Sequence, residues 1–579
     1  MIKKEPDRLK TRILMLGILF SIFFAAITVR AVHLHLFMGP WLSQKADGQV
    51  KRSVKSLGER GVIYDANLGK MSLSIDMTSV GAHPEQIEDI AGTAGILSKA
   101  LELNQKELVE KLKSKASFVW IDRHIAPQKV EMIEALNLKG VVFKSEKRRF
   151  YPYKTLAAQV IGFSGVDGRG LEGLEFYYDQ VLEGRQTQFK VIRDALGRGL
   201  GLESNISNDD HSGKNLVLTI DRRVQYIAEN ALAEVMVDSR AKNGIAVVMV
   251  PKTGAVLALA QYPFFNPNTF SQFAKESWRN RAITDPFEPG STMKIFSAAA
   301  ALEYGVSGPH SIFYCENGVY RVGRNTVHDT HPHQWLSLEQ IIKYSSNIGA
   351  VKLSEIIGAG NLYHTLKNFG FGEKTGIDCP GETVGMLSSY QRWTKIDTAA
   401  IAFGQGISVS AIQLITAISA IANDGILMKP YVVQAITGKD GALIKKFGPT
   451  PVRRAVSSET AATLKKMLAK VTEDGGTGVQ AALDGYTVCG KTGTAQKIGE
   501  SGTYEKGKYV SSFAGFVPAE NPEAVILVII DEPKKAHYGG IVAAPAFKQI
   551  ALQTLNYMNV PPESTSNRLT VQYQVEVEG

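Results

Sequence analysis

Residues 288–296 read Glu288-Pro289-Gly290-Ser291-Thr292-Met293-Lys294-Ile295-Phe296. Pro-Gly ends a loop, and Ser291 is a residue type that opens helices, so an alanine-rich helix is predicted after it. Residues three positions apart share a helix face, so Lys294 is expected to reach the Ser291 hydroxyl. Helix N-terminal amides offer oxyanion donors, and a partly desolvated lysine can act as a base. The stretch predicts a serine nucleophile with a lysine base.

Because the pattern Ser-x-x-Lys is weak alone, partners have to be found elsewhere in the chain. A second copy, Ser239 to Lys242, runs into Asn243-Gly244 at a predicted helix end, and we interpret it as a solvated surface pair. Ser345-Ser346-Asn347 is the only Ser-x-Asn in the sequence and follows an amphipathic stretch. A hydroxyl can relay a proton and an amide can hold a substrate carbonyl, although an ordinary helix cap would read the same way.

Lys-Thr-Gly occurs three times, at 252–254, 374–376 and 491–493, so the tripeptide alone proves little. Only the third copy continues a predicted strand, at 486–490, and adds a second hydroxyl in Thr494. Gly493 would let a ligand approach the strand closely. Lys491, Thr492 and Thr494 are together suited to bind a carboxylate.

Two competing motifs are set aside on physical grounds. Residues 485–492 match the phosphate-binding pattern GxxxxGK[ST], but the intervening residues are strand formers and Gly493 stands where a helix must begin. The segment His328-Asp329-Thr330-His331-Pro332-His333 resembles a metal cluster, yet its spacing suits no helix face and Pro332 predicts a loop. We interpret that segment as an incidental polar loop, and no metal or other cofactor is predicted. Cys489 is expected to be a core thiol on its strand.

The order of predicted elements indicates the fold class. Strands at 245–250 and 255–260 form a hairpin, a helix-rich block runs to about residue 475, and strand runs at 486–489, 509–517 and 524–530 follow. This order predicts an α+β domain, with one antiparallel sheet whose two ends come from distant sequence and with helices packed on it.

Charge and hydropathy place the chain at a membrane. The first twelve residues carry a local charge of +3 out of a total of +9, and an apolar run of 17 residues follows at 13–29. The N-terminal positive flank predicts an uncleaved signal anchor with the bulk of the chain outside the cytoplasm; a cleaved signal peptide is the alternative. A mean hydropathy of −0.05 excludes a polytopic membrane protein. The basic excess is therefore a topology signal, and no nucleic-acid partner is predicted.

The sequence resembles the class B penicillin-binding proteins over roughly residues 50–555. The combination of Ser-x-x-Lys, Ser-x-Asn and Lys-Thr-Gly is typical of penicillin-binding proteins and their β-lactamase relatives. Further motifs that look like this class are Arg60-Gly61-x-Ile63-x-Asp65, Arg149-x-Tyr151-Pro152, Gly162-Phe163, Gly404-Gln405-Gly406-Ile407-Ser408-Val409 and Gly539-Gly540-Ile541-Val542-Ala543-Ala544-Pro545. The resemblance implies a penicillin-binding transpeptidase fold and a membrane-anchored peptidoglycan D,D-transpeptidase. The segment from Phe287 to Ser291 resembles the division-specific septal branch more than the elongation branch.

By this resemblance, Ser291 attacks the penultimate D-Ala carbonyl of a donor stem peptide and Lys294 takes its proton. Ser345 passes the proton to the leaving D-Ala, and Asn347 holds the peptide. Lys491, Thr492 and Thr494, on the strand that contains Gly493, bind the terminal carboxylate. The amides of Ser291 and Thr494 form the oxyanion hole. β-Lactams are the implied covalent inhibitors. A membrane-embedded glycosyltransferase and other division proteins are the implied partners at the inner-membrane septum.

The resulting layout has five parts: a cytoplasmic basic tail at 1–12, a transmembrane anchor at 13–36, a mixed α/β pedestal of the dimerisation type at 50–220, a transpeptidase domain at 221–560 and a tail at 561–579. A lone β-lactamase would leave 50–220 unexplained, and a bifunctional synthase would need a glycosyltransferase motif that this region lacks. An elongation-type enzyme and a catalytically silent β-lactam sensor or division scaffold stay open. The tail contains an alternating strand pattern at 569–578, which could add to a sheet edge.

Overall fold

The computed structural model describes residues 7–184, 186–193, 199–202, 211–499 and 502–563 of the 579-residue chain. The alternating strand predicted at 569–578 lies outside the described residues. By its internal contacts the chain divides into two units. The first comprises Met1–Gly58 and Gly184–Ser212, and the second comprises Glu59–Glu183 and Gly213–Gly579.

The first unit begins with a long apolar helix. The α-helix Asp7–Val32 continues as a π-helical turn at His33–Phe37, and the helix Gly39–Val50 follows. The segment Arg8–Phe37 has a mean hydropathy of 2.3 and is long enough to cross a bilayer, so it exceeds the predicted limits of 13–36 at both ends. A three-stranded antiparallel sheet of Lys51–Leu57, Gln186–Arg193 and Gly199–Leu202 completes this unit. One such helix near the N-terminus fits single-pass membrane anchoring.

A seven-stranded sheet occupies one part of the second unit. Its hydrogen-bonded path runs through Leu443–Lys446, Val433–Thr437, Asn215–Leu218, Ile63–Tyr64, Lys70–Ala82 and Val119–Ile125, and Val141–Phe150 pairs with Lys70–Ala82. The helices beside it are Ile90–Leu101, Gln105–Leu112, Pro127–Glu134, Ala158–Ile161, Gly173–Tyr177 and Asp179–Leu182. The sheet includes strands from both sides of residue 220, so the domain limit placed there by the sequence stays a prediction.

Two of the motifs shared with class B penicillin-binding proteins, those that begin at Arg60 and Arg149, meet in a buried ionic cluster of this region. Glu175 is fully buried and accepts hydrogen bonds from Arg60 Nε at 2.7 Å and from Arg149 Nε at 2.6 Å. Ser72 Oγ also donates to its carboxylate, at 2.8 Å. The carboxylate is therefore paired on both oxygens, as a buried charge requires.

The antiparallel sheet predicted from distant sequence segments is confirmed. Its strand order is Val256–Tyr262, Asn243–Met249, Ala524–Asp531, Tyr504–Val517 and Cys489–Ile498, and every pairing is antiparallel. The side chains of the second strand alternate between two hydrophobic cores, since Val247 belongs to one and Val248 to the other. The sheet is therefore covered on both faces, and the fold is α+β.

Two layers of helices cover this sheet. Arg222–Ser239 and Ala544–Tyr557 pack together on one face, and every residue of Ala411–Ala422 is buried against the other. The remaining helices are Arg281–Thr284, Lys294–Glu303, Leu338–Tyr344, Asn347–Ile357, Ala359–Asn368, Lys395–Ala402, Ser458–Ala469 and Gly539–Val542. Short strand pairs join Ile312–Tyr314 to Trp335–Ser337, Val319–Val322 to Asn325–His328, Ile426–Met428 to Pro451–Arg454, and Phe163–Ser164 to Gly170–Glu172.

Two predicted boundaries are wrong. Asn243-Gly244 was predicted to end the first long helix, but that helix ends at Ser239, with Arg240 in the left-handed region, and Asn243-Gly244 starts the next strand. The last edge strand begins at Cys489 and not at Tyr486, because Tyr486 forms only an isolated bridge with Leu483. Lys491 nevertheless lies inside a strand, which continues to Ile498. The phosphate-binding alternative would require a helix to begin at this point, so the structure does not support it.

Candidate active site

Ser291, the predicted nucleophile, lies at the junction of two helical turns. A 3-10 turn at Gly290–Met293 runs directly into the α-helix Lys294–Glu303. Lys294 Nζ donates a hydrogen bond of 3.1 Å to Ser291 Oγ, as the spacing predicts. Ser291 is partly exposed, whereas Lys294 is only 1% exposed. The hydroxyl therefore faces open space while the amine behind it is withdrawn from water.

Glycines set the backbone path before the nucleophile. Gly290 has a φ of +56° and donates its N–H to Gly404 O at 3.1 Å. A Cβ atom on Gly404 would lie 2.0 Å from Gly290 O, and Gly404 itself has a φ of +87°. The Gly404–Val409 motif thus packs against the backbone of the loop before Ser291. Only glycine fits where the two backbones touch.

The Ser-x-Asn motif occupies the corner between two helices. Ser345 ends Leu338–Tyr344 with a φ of +61°, and Ser346 caps the start of Asn347–Ile357. Lys294 Nζ donates to Ser345 O at 2.5 Å, to Ser345 Oγ at 3.2 Å and to Asn347 Oδ1 at 2.7 Å. With Ser291 Oγ, four acceptor atoms surround an amine that has at most three N–H bonds. The amine can therefore reach the hydroxyls of Ser291 and Ser345 from one position.

Burial tunes the acidity of the two site lysines. Burial lowers the pKa of Lys294 to about 7, and the nearby Asp329 carboxylate opposes part of that effect by raising it. Burial also lowers the pKa of Lys491 well below its ordinary value, and the charge of Lys294 lowers it further. Lys294 is therefore poised to accept a proton near neutral pH.

The Lys-Thr-Gly strand forms the wall of the site opposite the Ser-x-Asn motif. Lys491 is fully buried, and its Nζ lies 3.4 Å from both O and Oγ1 of Thr492. Thr492 Oγ1 donates to Thr477 Oγ1 at 3.1 Å, and Thr494 Oγ1 accepts from Gly539 N at 3.1 Å. The threonine hydroxyls are held in place from outside the predicted motif.

Gly493 serves packing within the protein. A Cβ atom there would lie 2.2 Å from Ser512 Oγ and 3.0 Å from Thr292 Cγ2. The close approach that this glycine allows in the structure is thus to the adjacent strand and to the nucleophile turn. The predicted approach of a ligand to Gly493 stays a prediction.

These elements enclose a cavity of about 880 Å³. Of the predicted site residues, five line it: Ser291, Ser345, Asn347, Thr492 and Thr494. The buried side chains of Lys294 and Lys491 lie behind this lining, and Gly493 supports it. Other lining residues include Thr326, His328, His331, Tyr344, Phe403, Gln405, Tyr504, Tyr509, His537 and Tyr538. The structure therefore brings all eight predicted residues to one place.

Residues 329–333 form a loop, as predicted, but the loop is not incidental, because it contacts the Ser-x-Asn motif. Asp329 accepts hydrogen bonds from Ser346 Oγ and from the backbone of Asn347, and His328 O accepts from Asn347 Nδ2 at 2.9 Å. Thr477 is a further contributor that sequence reasoning missed, because no motif pointed to it. The density of polar residues at 328–333 is the feature of the sequence that could have pointed to Asp329. Among the described residues, no group of metal-ligating side chains is found.

The second Ser-x-x-Lys copy differs from the expected solvated pair. Ser239 is buried, and its Oγ donates to Val235 O at 2.6 Å within its own helix. Lys242 is exposed and lies 3.7 Å from Glu532. The hydroxyl is therefore engaged with its own backbone and cannot serve as a nucleophile there. Cys489 is a buried thiol on its strand, as predicted.

Comparison with known proteins places this geometry in a family. The model of the penicillin binding protein transpeptidase domain matches residues 244–552, and that of the penicillin-binding protein dimerisation domain matches residues 55–218. The probable peptidoglycan D,D-transpeptidase PenA of Neisseria meningitidis is 34% identical over 96% of this chain and 95% of its own. The chain belongs to the class B penicillin-binding proteins.

Other relatives of this class B penicillin-binding protein cover nearly the whole chain. Peptidoglycan D,D-transpeptidase FtsI of Escherichia coli K12 is 33% identical over 92% of this chain and 90% of its own. The crystal structure of penicillin binding protein 3 from Mycobacterium tuberculosis with aztreonam is 30% identical, covers 88% of this chain and 98% of its own, and superimposes with a TM-score of 0.69. The protein is a serine-type peptidoglycan D,D-transpeptidase.

Proposed function

We propose that this penicillin-binding protein cross-links peptidoglycan stem peptides through an acyl ester on Ser291, in septal wall synthesis during cell division. The observation that carries the chemical part is the position of Lys294 Nζ, which contacts both Ser291 Oγ at 3.1 Å and Ser345 Oγ at 3.2 Å. A base that touches both hydroxyls can take a proton from one and return it through the other.

Acylation moves one proton from Ser291 through Lys294 and Ser345 to the leaving amine. Ser291 Oγ attacks the carbonyl carbon of the penultimate D-Ala, and its proton passes to the neutral amine of Lys294. The tetrahedral intermediate collapses, the C–N bond to the terminal D-Ala breaks, and Ser345 passes the proton to the leaving amine. An acceptor amine then attacks the ester, forms the cross-link and returns Ser291 to its hydroxyl form. The buried base with a pKa of about 7 supports this role.

Substrate binding falls to the remaining lining groups. Thr492 and Thr494 present their hydroxyls to the cavity, and with Lys491 behind them they bind the terminal carboxylate. Asn347 holds the peptide carbonyl. The backbone amides of Ser291 and Thr494 form the oxyanion hole; Gly290 supports this assignment, because a Cβ atom on it would lie 2.8 Å from Thr494 O. β-Lactams, which mimic the D-Ala-D-Ala end, trap Ser291 at the ester stage.

The cellular assignment rests on sequence features. The apolar helix supports a single-pass protein with a cytoplasmic basic tail at 1–12 and an extracytoplasmic body made of a pedestal at 50–220, a transpeptidase domain at 221–560 and a tail at 561–579. The Phe-Glu-Pro-Gly-Ser segment favours the septal branch, where a membrane-embedded glycosyltransferase would supply glycan strands. Since stage V sporulation protein D of Bacillus subtilis is 34% identical, a role in sporulation is the second candidate.

A product assay tests the reaction. Purified protein is incubated with a donor peptide ending in D-Ala-D-Ala and an acceptor amine, and mass spectrometry follows release of D-Ala and formation of the cross-linked product. We expect both from the wild type and neither from Ser291→Ala. Ser239→Ala is the matched control, because it removes the serine of the other Ser-x-x-Lys copy, and it should behave like the wild type. Loss of product in both variants, or in neither, would refute the assigned nucleophile.

A localisation experiment tests the septal role. A fluorescent fusion expressed at native level should concentrate at midcell in dividing cells. Signal along the side walls throughout the cycle would replace the septal proposal with the elongation alternative. Rescue of a depleted strain by Ser291→Ala would instead favour the catalytically silent scaffold.

A further inference from the structure

We propose that Asp329 is the positioning residue of this active site: it fixes the Ser-x-Asn corner whose oxygens hold the Lys294 amine, and it adds a carboxylate charge beside that corner. The inference rests on the proposed roles of Lys294, Ser345 and Asn347. It adds a residue that none of the three catalytic motifs contains, and it assigns a function to the loop at 328–333.

The geometry of Asp329 is that of a cap supplied from another segment of the chain. Its Oδ1 accepts N–H bonds from Asn347 at 2.5 Å and Ile348 at 3.0 Å, and its Oδ2 accepts from Ser346 Oγ at 2.6 Å. These amides are among the first of the helix Asn347–Ile357, which have no partner inside the helix. A carboxylate is also the group that the positive end of a helix favours.

The same loop orients the side chain of Asn347. His328 O accepts from Asn347 Nδ2 at 2.9 Å, which turns Oδ1 towards Lys294 Nζ at 2.7 Å. Asn347 is therefore held by its backbone through Asp329 and by its amide nitrogen through the preceding residue. Without Asp329, nothing else recorded in the described structure anchors both the backbone and the neighbouring serine of this motif.

Asp329 is itself held by a small substructure. Its backbone N–H donates to Gly318 O at 3.1 Å, and the strand Asn325–His328 ends immediately before it. Cys315 N donates to Gln334 O at 2.6 Å and ties down the other end of the loop. The carboxylate is thus delivered to the helix start by a fixed frame and not by a free loop tip.

Two charged groups act on the Lys294 amine, the carboxylate of Asp329 and the amine of Lys491. Asp329 is the carboxylate that raises its pKa against the larger effect of burial, and Lys491 faces it from the neighbouring strand. Around Asp329 lie the thiol of Cys315 and, farther out, Lys352, which pairs with Glu316 at 3.1 Å. The flanking imidazoles of His328 and His331 line the cavity. Removing the charge of Asp329 should therefore leave burial and Lys491 to act on Lys294 without opposition.

Two substitutions separate position from charge. Asp329→Asn keeps an oxygen for the two helix amides and offers an amide group to Ser346 Oγ, but it removes the charge. Asp329→Ala removes both. Asp440→Asn is the matched control, since Asp440 is an exposed loop residue that accepts from Ala442 N at 3.0 Å, at a site unrelated to the cavity.

The experiment measures the rate of acylation of the full-length protein by a fluorescent penicillin between pH 5 and 9. For Asp329→Asn we expect the midpoint of the pH–rate profile to move to lower pH by roughly one unit, because an opposite charge that raised the pKa of the base is gone. For Asp329→Ala we expect a rate loss of about tenfold or more as the corner loosens. Asp440→Asn should match the wild type in both respects.

A merely structural role would lower folded protein and rate without moving the midpoint. An unmoved midpoint in Asp329→Asn would therefore overturn the proposal, even if Asp329→Ala failed to fold. A wild-type rate in Asp329→Ala would also overturn it. The proposed function fails in a different way, since then the wild type itself would form no adduct at Ser291.

Discussion

Lys294 Nζ donates a hydrogen bond of 3.1 Å to Ser291 Oγ across the junction of a 3-10 turn and an α-helix. The serine is open to the cavity and the lysine is closed off from water. This pairing requires no third residue to activate the nucleophile, provided that the amine is neutral when substrate arrives. The protonation state of Lys294 is therefore the variable on which activity depends.

The pH dependence of acylation follows from this. Because burial lowers the pKa of Lys294 to about 7, the neutral base accumulates as the pH rises through that value. The acylation rate should increase from pH 5 and level off above about pH 8. Lys294→Ala should lower the rate roughly 10²–10⁴-fold above about pH 8, which is the usual contribution of a general base, and by less at pH 5, where the wild-type amine is itself protonated. A stopped-flow record with a fluorescent penicillin checks both; a flat wild-type profile would contradict the assignment.

Gly404→Ala tests the packing of the Gly404–Val409 motif against the loop before Ser291. The added Cβ atom would lie 2.0 Å from Gly290 O, and the φ of +87° is strained for any other residue. We expect the loop to shift and acylation to fall about 10²-fold, as a small misplacement of reacting groups does. Gly441→Ala is the control, because a Cβ atom at that position meets nothing within 4 Å while φ is also positive, at +84°. Equal rates in the two variants would show that the contact with Gly290 is unimportant.

Glu175→Ala should destabilise the seven-stranded region. Breaking the buried ion pair leaves Arg149 without its carboxylate and Arg60 with Asp179 as its remaining carboxylate, and it costs about 3–5 kcal/mol of unfolding free energy. Burial opposes ionisation of Glu175, but the two arginines hold its pKa below the ordinary value. Its stabilising contribution is therefore present above the unfolded pKa and is lost as the pH falls through the lower folded value.

Urea unfolding at pH 7 and below measures this effect. Glu110→Gln is the control, since that carboxylate is 77% exposed and its pair with Lys113, at 3.9 Å, is long and therefore weak. An unfolding free energy that is no lower in Glu175→Ala than in the control would mean that the cluster does not hold the fold.

Glu229→Gln should stabilise the protein at high pH, in contrast to the destabilisation expected for Glu175→Ala. Its carboxylate accepts from Ala157 N and from Gln225 Nε2, both at 2.8 Å, and burial raises its pKa to about 7. A raised acid pKa means that the folded state retains a proton the unfolded state has lost, so wild-type stability falls as the pH rises from about 4.5 to 7. The amide avoids this loss and should be more stable than wild type by about 1–3 kcal/mol at pH 8, yet similar at pH 4.5. Thermal unfolding at the two pH values decides it, and a difference independent of pH would be the contrary result.

The sequence predicted the antiparallel sheet and the motifs that the structure brings together, because both follow from local patterns of residues. Ser291 and Lys294 are one helical turn apart, and Lys491, Thr492 and Thr494 lie within four residues of one strand. The contribution of Asp329 was missed because it acts through backbone amides 18 and 19 residues later in the chain, a relationship that no spacing rule encodes. The sharing of one sheet by strands from both sides of residue 220 was missed for the same reason, since Asn215–Leu218 pairs with Val433–Thr437.

The exact limits of helices and strands could not be predicted from local sequence either. Asn243-Gly244 has the composition of a turn, yet pairing with Ala524–Asp531 draws it into the sheet. In the same way, Tyr486 has strand propensity, but its hydroxyl donates to Val560 O at 2.7 Å and its backbone stays outside the ladder. Tertiary contacts outweighed local preference at both positions.

The most direct test of the account is the mass of the intact protein after incubation with penicillin. Wild-type protein should gain the mass of one penicillin, and peptide mapping should place the adduct on Ser291. Ser291→Ala should gain nothing, while Ser239→Ala should label like the wild type. An adduct on another residue, or equal labelling of Ser291→Ala, would contradict the assignment of the nucleophile on which the mechanism depends.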